Sequence, residues 1–92
     1  MSGVLTDEQI DISELIGGFD GRNLVVHNDD VNTFDWVIIS LVEICNHTYE
    51  QAEQCAYIIH FSGKYAVKHG SDNTLKPMKN ALVDRGINAT IE

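Results

Sequence analysis

Four consecutive polar residues, His27-Asn28-Asp29-Asp30, and a distant histidine, His60, are the side chains of this sequence best suited to chemistry. Asn and Asp gathered between apolar segments form turns, because their side chains bond the backbone nearby. Asp and His are also the usual metal ligands and general bases, which would make a small metal-dependent hydrolase. No HExxH or CxxC motif accompanies them, and two carboxylates adjacent in sequence need not converge on one ion. A third reading is capture of a cation. An ammonium group offers three donors, and an Asn carbonyl, an Asp carboxylate and a neutral His nitrogen would supply three acceptors for an α-amino group. The residues alone leave all three readings open.

These side chains need elements to carry them. Asn23 to His27 is a short apolar strand that the Asn28-Asp29-Asp30 cluster ends. Thr33 is a good N-cap for a helix running to about Asn46, with Phe34, Val37, Ile38, Leu41, Val42 and Cys45 on one face. Thr48 with Gln51 reads as a capping box opening a second helix, which buries Ala52, Cys55, Ala56 and Ile59 and stops at Gly63. Tyr65 to Val67 suggests a second strand. Ser71 to Thr74 reads as turn and cap, with Pro77 in the first turn of a third helix ending near Gly86. Ile87 to Ile91 alternates and closes as a last strand. The order β-α-α-β-α-β predicts an α+β fold, a three-stranded antiparallel sheet with three helices on one face. Residues 1–22 are acidic and end in Gly17, Gly18 and Gly21, so they read as a flexible tail ahead of a core domain at 23–92.

Composition narrows the partners. Ninety-two residues with 43% apolar content make one globular domain. A formal charge of −8 with six scattered basic residues argues against nucleic acid and against anionic membrane surfaces. The start MSGVLTDEQI has no charged n-region followed by an apolar stretch, and no apolar run approaches a membrane span. Cys45 and Cys55 fall on apolar helix rows as reduced core residues, which favours a cytoplasmic location. Nothing in the chain calls for a cofactor or a metal.

The segment LVVHNDDVNTFDWVIISLVEI resembles the signature of the ClpS family of adaptors: an aliphatic strand, Asn-Asp-Asp, then a helix opening on an apolar residue. The resemblance continues through AYIIHFSGKYAV, which carries the family's His-x-x-Gly-Lys block, and ends in NATIE, covering about residues 23–92. It implies the same β-α-α-β-α-β fold and an adaptor without catalytic activity of its own. Such adaptors bind N-degrons, free N-termini bearing Leu, Phe, Tyr or Trp. They deliver the proteins to an AAA+ unfoldase of the Clp protease, ClpA- or ClpC-like, through its N-terminal domain.

By that resemblance Asn28 and His60 bond the α-amino group directly, Asp30 holds it through water or charge, and Asp29 assists. Val26, Asn32, Phe34, Val37, Ala56, Ile59 and Ile87 line the side-chain pocket. If His60 accepts from the ammonium, acidification should weaken binding. The family pattern Tyr-Thr-Pro-Met is here Val31-Asn32-Thr33-Phe34, so Phe34 replaces a flexible Met at the pocket gate, and Ala56 stands where another Met is typical. The stretch Lys68–Gly86 is shorter than in relatives, which implies a trimmed third helix.

Read without the resemblance, Val37, Ile59 and Ile87 are core residues, and His60 is a satisfied helix-end histidine. His27, His47 and His69 read as surface residues without partners. An interaction module like the ribosomal stalk domain shares the same order of elements and would not need the Asn-Asp-Asp and His constellation.

Overall fold

The computed structural model describes residues 21–92. Residues 1–20 of the expected tail lie outside the described residues, while Arg22 already opens the first strand. The elements follow in the expected order: β1 (Arg22–His27), α1 (Phe34–Cys45), α2 (Tyr49–Ser62), β2 (Lys64–Gly70), α3 (Asp72–Asp84) and β3 (Ala89–Ile91).

The sheet is antiparallel with order β2-β1-β3. The central place of β1 explains its composition, because a strand paired on both edges can bury a continuous apolar run: Leu24, Val25 and Val26 are all buried. Leu24 and Val26 point to one face and join residues of all three helices in a single core cluster, which Val25 does not enter. The helices therefore cover one face. The register of β1 against β2 slips between Leu24 and Val25, whose partners are Lys68 and Ala66. That bulge lets Val67 turn into the core.

Both expected helix starts form. The Thr33 hydroxyl accepts from the Trp36 N–H at 3.1 Å. At α2, Thr48 and Gln51 exchange side-chain bonds at 3.0 and 3.1 Å in a reciprocal capping box. α1 ends at Asn46, which takes the left-handed conformation (φ 62°), and α2 ends at Gly63 with φ 92°. Each buries an apolar stripe, and full burial of one Leu or Ile contributes about 1.5–3 kcal/mol. Ser40, fully buried on α1, bonds the Arg85 guanidinium at 3.2 Å. Cys45 and Cys55 are free and buried, and burial pushes the Cys45 thiol up to about 11.

The third helix and last strand differ from expectation. Ser71 is the cap, accepting from the Thr74 N–H, so α3 starts at Asp72 and Pro77 lies in its second turn. Asn73 and Pro77 are both exposed, so the helical bond that proline cannot donate is missing where water can replace it. The last strand begins at Ala89. Ile87 instead sits in the turn after Gly86, its N–H bonded to the Leu82 carbonyl at 3.0 Å and its side chain 2% exposed. A short hydrophobic alternation cannot separate a strand from a turn that aims one side chain inward.

Candidate functional site

Sheet pairing brings the distant motifs together. His27, last residue of β1, is opposite Lys64, first residue of β2. One residue on, the Asn28 N–H donates to the Gly63 carbonyl at 2.8 Å. Gly63 is also the cap of α2, its own N–H bonded to Ile59, so His60 stands within the last turn of that helix. A backbone hydrogen bond thus fixes the asparagine against the end of the helix that carries the histidine.

The loop between β1 and α1 is held from within. Asp29 Oδ1 accepts from the Val31 and Asn32 N–H groups at 2.8 and 2.9 Å, and Oδ2 accepts from the Asn32 side chain at 2.9 Å. These bonds, the Asn32 N–H first, hold the Asp29 carboxyl below its usual value. The second proton of the Asn32 amide goes to the Gly86 carbonyl at 2.9 Å, tying the loop to the turn that carries Ile87. Nearby, Trp36 Nε1 donates to the Arg85 carbonyl at 3.0 Å, and the Arg85 guanidinium sits 5.3 Å from the Trp36 ring centre while pairing with Glu43 at 2.7 Å.

The result is a cavity of about 500 Å³ lined by His27 and by all eleven residues that the sequence singled out: Val26, Asn28, Asp29, Asp30, Asn32, Phe34, Val37, Ala56, Ile59, His60 and Ile87. Its floor is apolar. Val26, Ala56, Ile59 and Ile87 are each at most 4% exposed and belong to the core cluster. These residues belong to the core and also line the cavity, because the cavity opens on the edge of the core. The rim is polar on the β1–α1 side. Among the described residues the side chains of Asn28, Asp30 and His60 make no hydrogen bond or ion pair, and all three are exposed. Those of Asp29 and Asn32 are engaged within the loop. Two roles that looked alike in sequence thus separate: three acceptors remain available, and two residues hold the scaffold.

The family model of the ATP-dependent Clp protease adaptor protein ClpS matches residues 22–89. The chain belongs to the ClpS family. No curated protein matches the chain in sequence. Among solved structures it is similar to Agrobacterium tumefaciens ClpS2 bound to L-phenylalaninamide, with a TM-score of 0.76 at 15% identity over 79% of this chain and 95% of that one. At that identity the likeness shows a shared fold. Within this ClpS fold, α3 runs through 13 residues, Asp72–Asp84, and its burial of Leu75 and Leu82 secures the turn at Gly86 and Ile87. Among the described residues no helix is long and apolar enough to cross a membrane, and no group of three or more His, Cys, Asp or Glu is placed to hold a metal ion.

The other histidines correct the sequence reading. His27 lines the cavity and is half-buried, its Nε2 lying 2.8 Å from Thr90 Oγ1 and 3.6 Å from Glu92 Oε2. No signal along the chain marked it, because strand pairing alone brings Thr90 beside it. His47 is also half-buried, with Nε2 2.8 Å from the Val67 carbonyl and Nδ1 3.9 Å from the Cys55 sulfur. Burial pushes its proton affinity down. Only His69 is exposed, and even there Nδ1 is 3.1 Å from Asn23 Oδ1.

Proposed function

We propose that the cavity receives the first residue of a protein with a free, bulky apolar N-terminus, and that the chain presents such N-degron proteins to an AAA+ unfoldase of the Clp protease. One observation carries the reading: the fold leaves three acceptor-bearing side chains, Asn28, Asp30 and His60, unengaged around the mouth of an apolar cavity. An α-ammonium beside a large apolar side chain is the ligand that uses both features. In this reading the Asn28 carbonyl and a neutral His60 nitrogen accept from the ammonium, and Asp30 supplies negative charge. Asp29 acts through the loop it holds, a more indirect part than assisting at the amine. Val26, Val37, Ala56, Ile59 and Ile87 enclose the side chain, Phe34 flanks the entrance, and Asn32 fixes one wall.

The magnitudes are adequate. Burying a Leu or Phe side chain gives about 1.5–3 kcal/mol, and each hydrogen bond to a charged group about 1.5–3 kcal/mol. Less the ordering of the peptide, affinity falls on the order of micromolar, suited to capture and release. The chain binds and hands over, and catalysis has no part in the proposal. The unfoldase is the partner that membership of a family of Clp protease adaptors favours.

Fluorescence anisotropy with labelled ten-residue peptides that differ only at the first residue is the test. Leu and Phe starts should bind, Ala and N-acetylated Leu starts should not, and His60→Ala should lose the Leu and Phe binding. Equal weak binding of every peptide would overturn the proposal.

A further inference from the structure

Four rings form a closed set of contacts at one side of the cavity mouth. Phe34 meets Tyr57 edge-on with centroids 5.0 Å apart and meets His60 edge-on at 5.3 Å. Phe61 closes the set, edge-on to His60 at 4.9 Å and parallel to Tyr57 at 6.4 Å. Residues 57, 60 and 61 share one face of α2 by their i, i+3, i+4 spacing. Phe34 and His60 also line the cavity, whereas Tyr57 and Phe61 lie outside it. The outer pair faces solvent, with Phe61 78% and Tyr57 48% exposed.

An aromatic cluster this exposed has no role in holding the core, and contiguous exposed apolar surface marks an interaction site. We infer that Tyr57 and Phe61 form a second subsite, which takes an aromatic or large aliphatic side chain at the residue immediately after the captured N-terminus. The inference rests on the reading of the cavity as an N-terminus pocket. Two observations select this occupant. The shelf is continuous with the cavity through rings common to both, and its outer rings lie 5.0 and 4.9 Å from the lining rings Phe34 and His60, the scale of the ~3.8 Å between successive Cα atoms. The shelf itself carries no charged side chain, while the other rim carries Asp29 and Asp30, so an acidic second residue is disfavoured by like charge and gains nothing from the rings. The chain would thus read two residues, the first by enclosure and the second by stacking.

The test uses the full chain and four peptides, Leu-Trp, Leu-Ala, Leu-Asp and Ala-Trp at their first two positions and otherwise identical, with the protein as wild type, Phe61→Ser and Tyr57→Ser. The wild type should bind Leu-Trp roughly five-fold more tightly than Leu-Ala, the scale of one aromatic contact, and Leu-Asp most weakly of the Leu series. Either variant should shrink the Leu-Trp to Leu-Ala ratio towards one. Equal affinity of the wild type for Leu-Trp and Leu-Ala would overturn the subsite and leave the N-terminus pocket standing. A uniform loss across all Leu peptides in Phe61→Ser, with the ratio kept, would overturn it too and make the rings a support of the mouth or the seat of another partner. Ala-Trp binding as well as Leu-Trp would overturn the pocket and the subsite together.

Discussion

Two hollows among the described residues can be compared through one histidine on the wall of each. The larger, about 500 Å³, has His60, and the smaller, about 240 Å³, has His47 with Gln51, Gln54, Cys55, Ile58, Tyr65, Ala66 and Val67. His47 is bound on both ring nitrogens, to the Val67 carbonyl and towards the Cys55 sulfur. The nitrogens of His60 have no hydrogen-bond partner among the described residues, and its ring meets those of Phe34 and Phe61 in edge-to-face contacts. Histidine content therefore says little about a site. What separates a binding wall from a structural one is whether the fold has already satisfied the polar atoms that face the hollow.

The hardest trial of this contrast is a pair of substitutions. Asn28→Ala should weaken binding of a Leu-start peptide by about 10–100-fold, the worth of one charge-assisted hydrogen bond, and leave the melting temperature nearly unchanged. His47→Ala should do the reverse, lowering the melting temperature while peptide affinity stays within two-fold or so, since it removes a bond internal to the fold. Peptide anisotropy and thermal unfolding on both variants decide the matter, and an equal effect on both quantities in each would erase the contrast.

A smaller effect is expected at the joint between the two strands. Gly63 is left-handed at φ 92°, yet a Cβ there would touch nothing within 4 Å. Gly63→Ala should therefore cost about 1–2 kcal/mol through backbone strain alone, read by urea unfolding. Because the Gly63 carbonyl receives the Asn28 N–H, peptide affinity should fall along with stability.

The smallest effect is a pH dependence of stability. Burial first, then the Lys68 charge, lower the proton affinity of His47, against the Val67 bond that raises it. The unfolded chain then takes up the proton more readily than the folded one. The contribution is complete above the unfolded imidazole value of about 6.5 and is lost as pH falls from there through the lower folded value. Urea midpoints between pH 7.5 and 5 should decline in wild type and flatten in His47→Gln. A decline of equal size in the variant would assign it to other groups.

Much of the fold could be read along the chain because its punctuation is local. Thr33, Thr48 with Gln51, and Gly63 announce helix ends through side-chain or backbone chemistry that needs no distant partner. Pro77 misled for the same reason: placing it in a first turn obeys the local rule, whereas α3 starts earlier, at Asp72 after its Ser71 cap, and tolerates the proline at an exposed second-turn position. The grouping of the site residues came from the family signature and not from periodicity, which assigns Val37, Ile59 and Ile87 to the core. Their second duty depends on where the core ends, a property of packing. His27 and His47 were illegible because their partners, Thr90 and Val67, are brought near only by the sheet.

The bond from the Asn28 N–H to the Gly63 carbonyl has a further consequence, for how such a protein can change over generations. It joins main-chain atoms, so no replacement of either side chain deletes it, save proline at position 28. Phe34 and Tyr57 at the mouth and Ala56 in the floor carry no hydrogen bonds from their side chains among the described residues. Under the proposed function, the hold on an amine and the preference for a side chain are thus free to drift at different rates. A library randomised at 34 and 56 should yield new preferences at the first position far more readily than it yields acceptance of a blocked terminus.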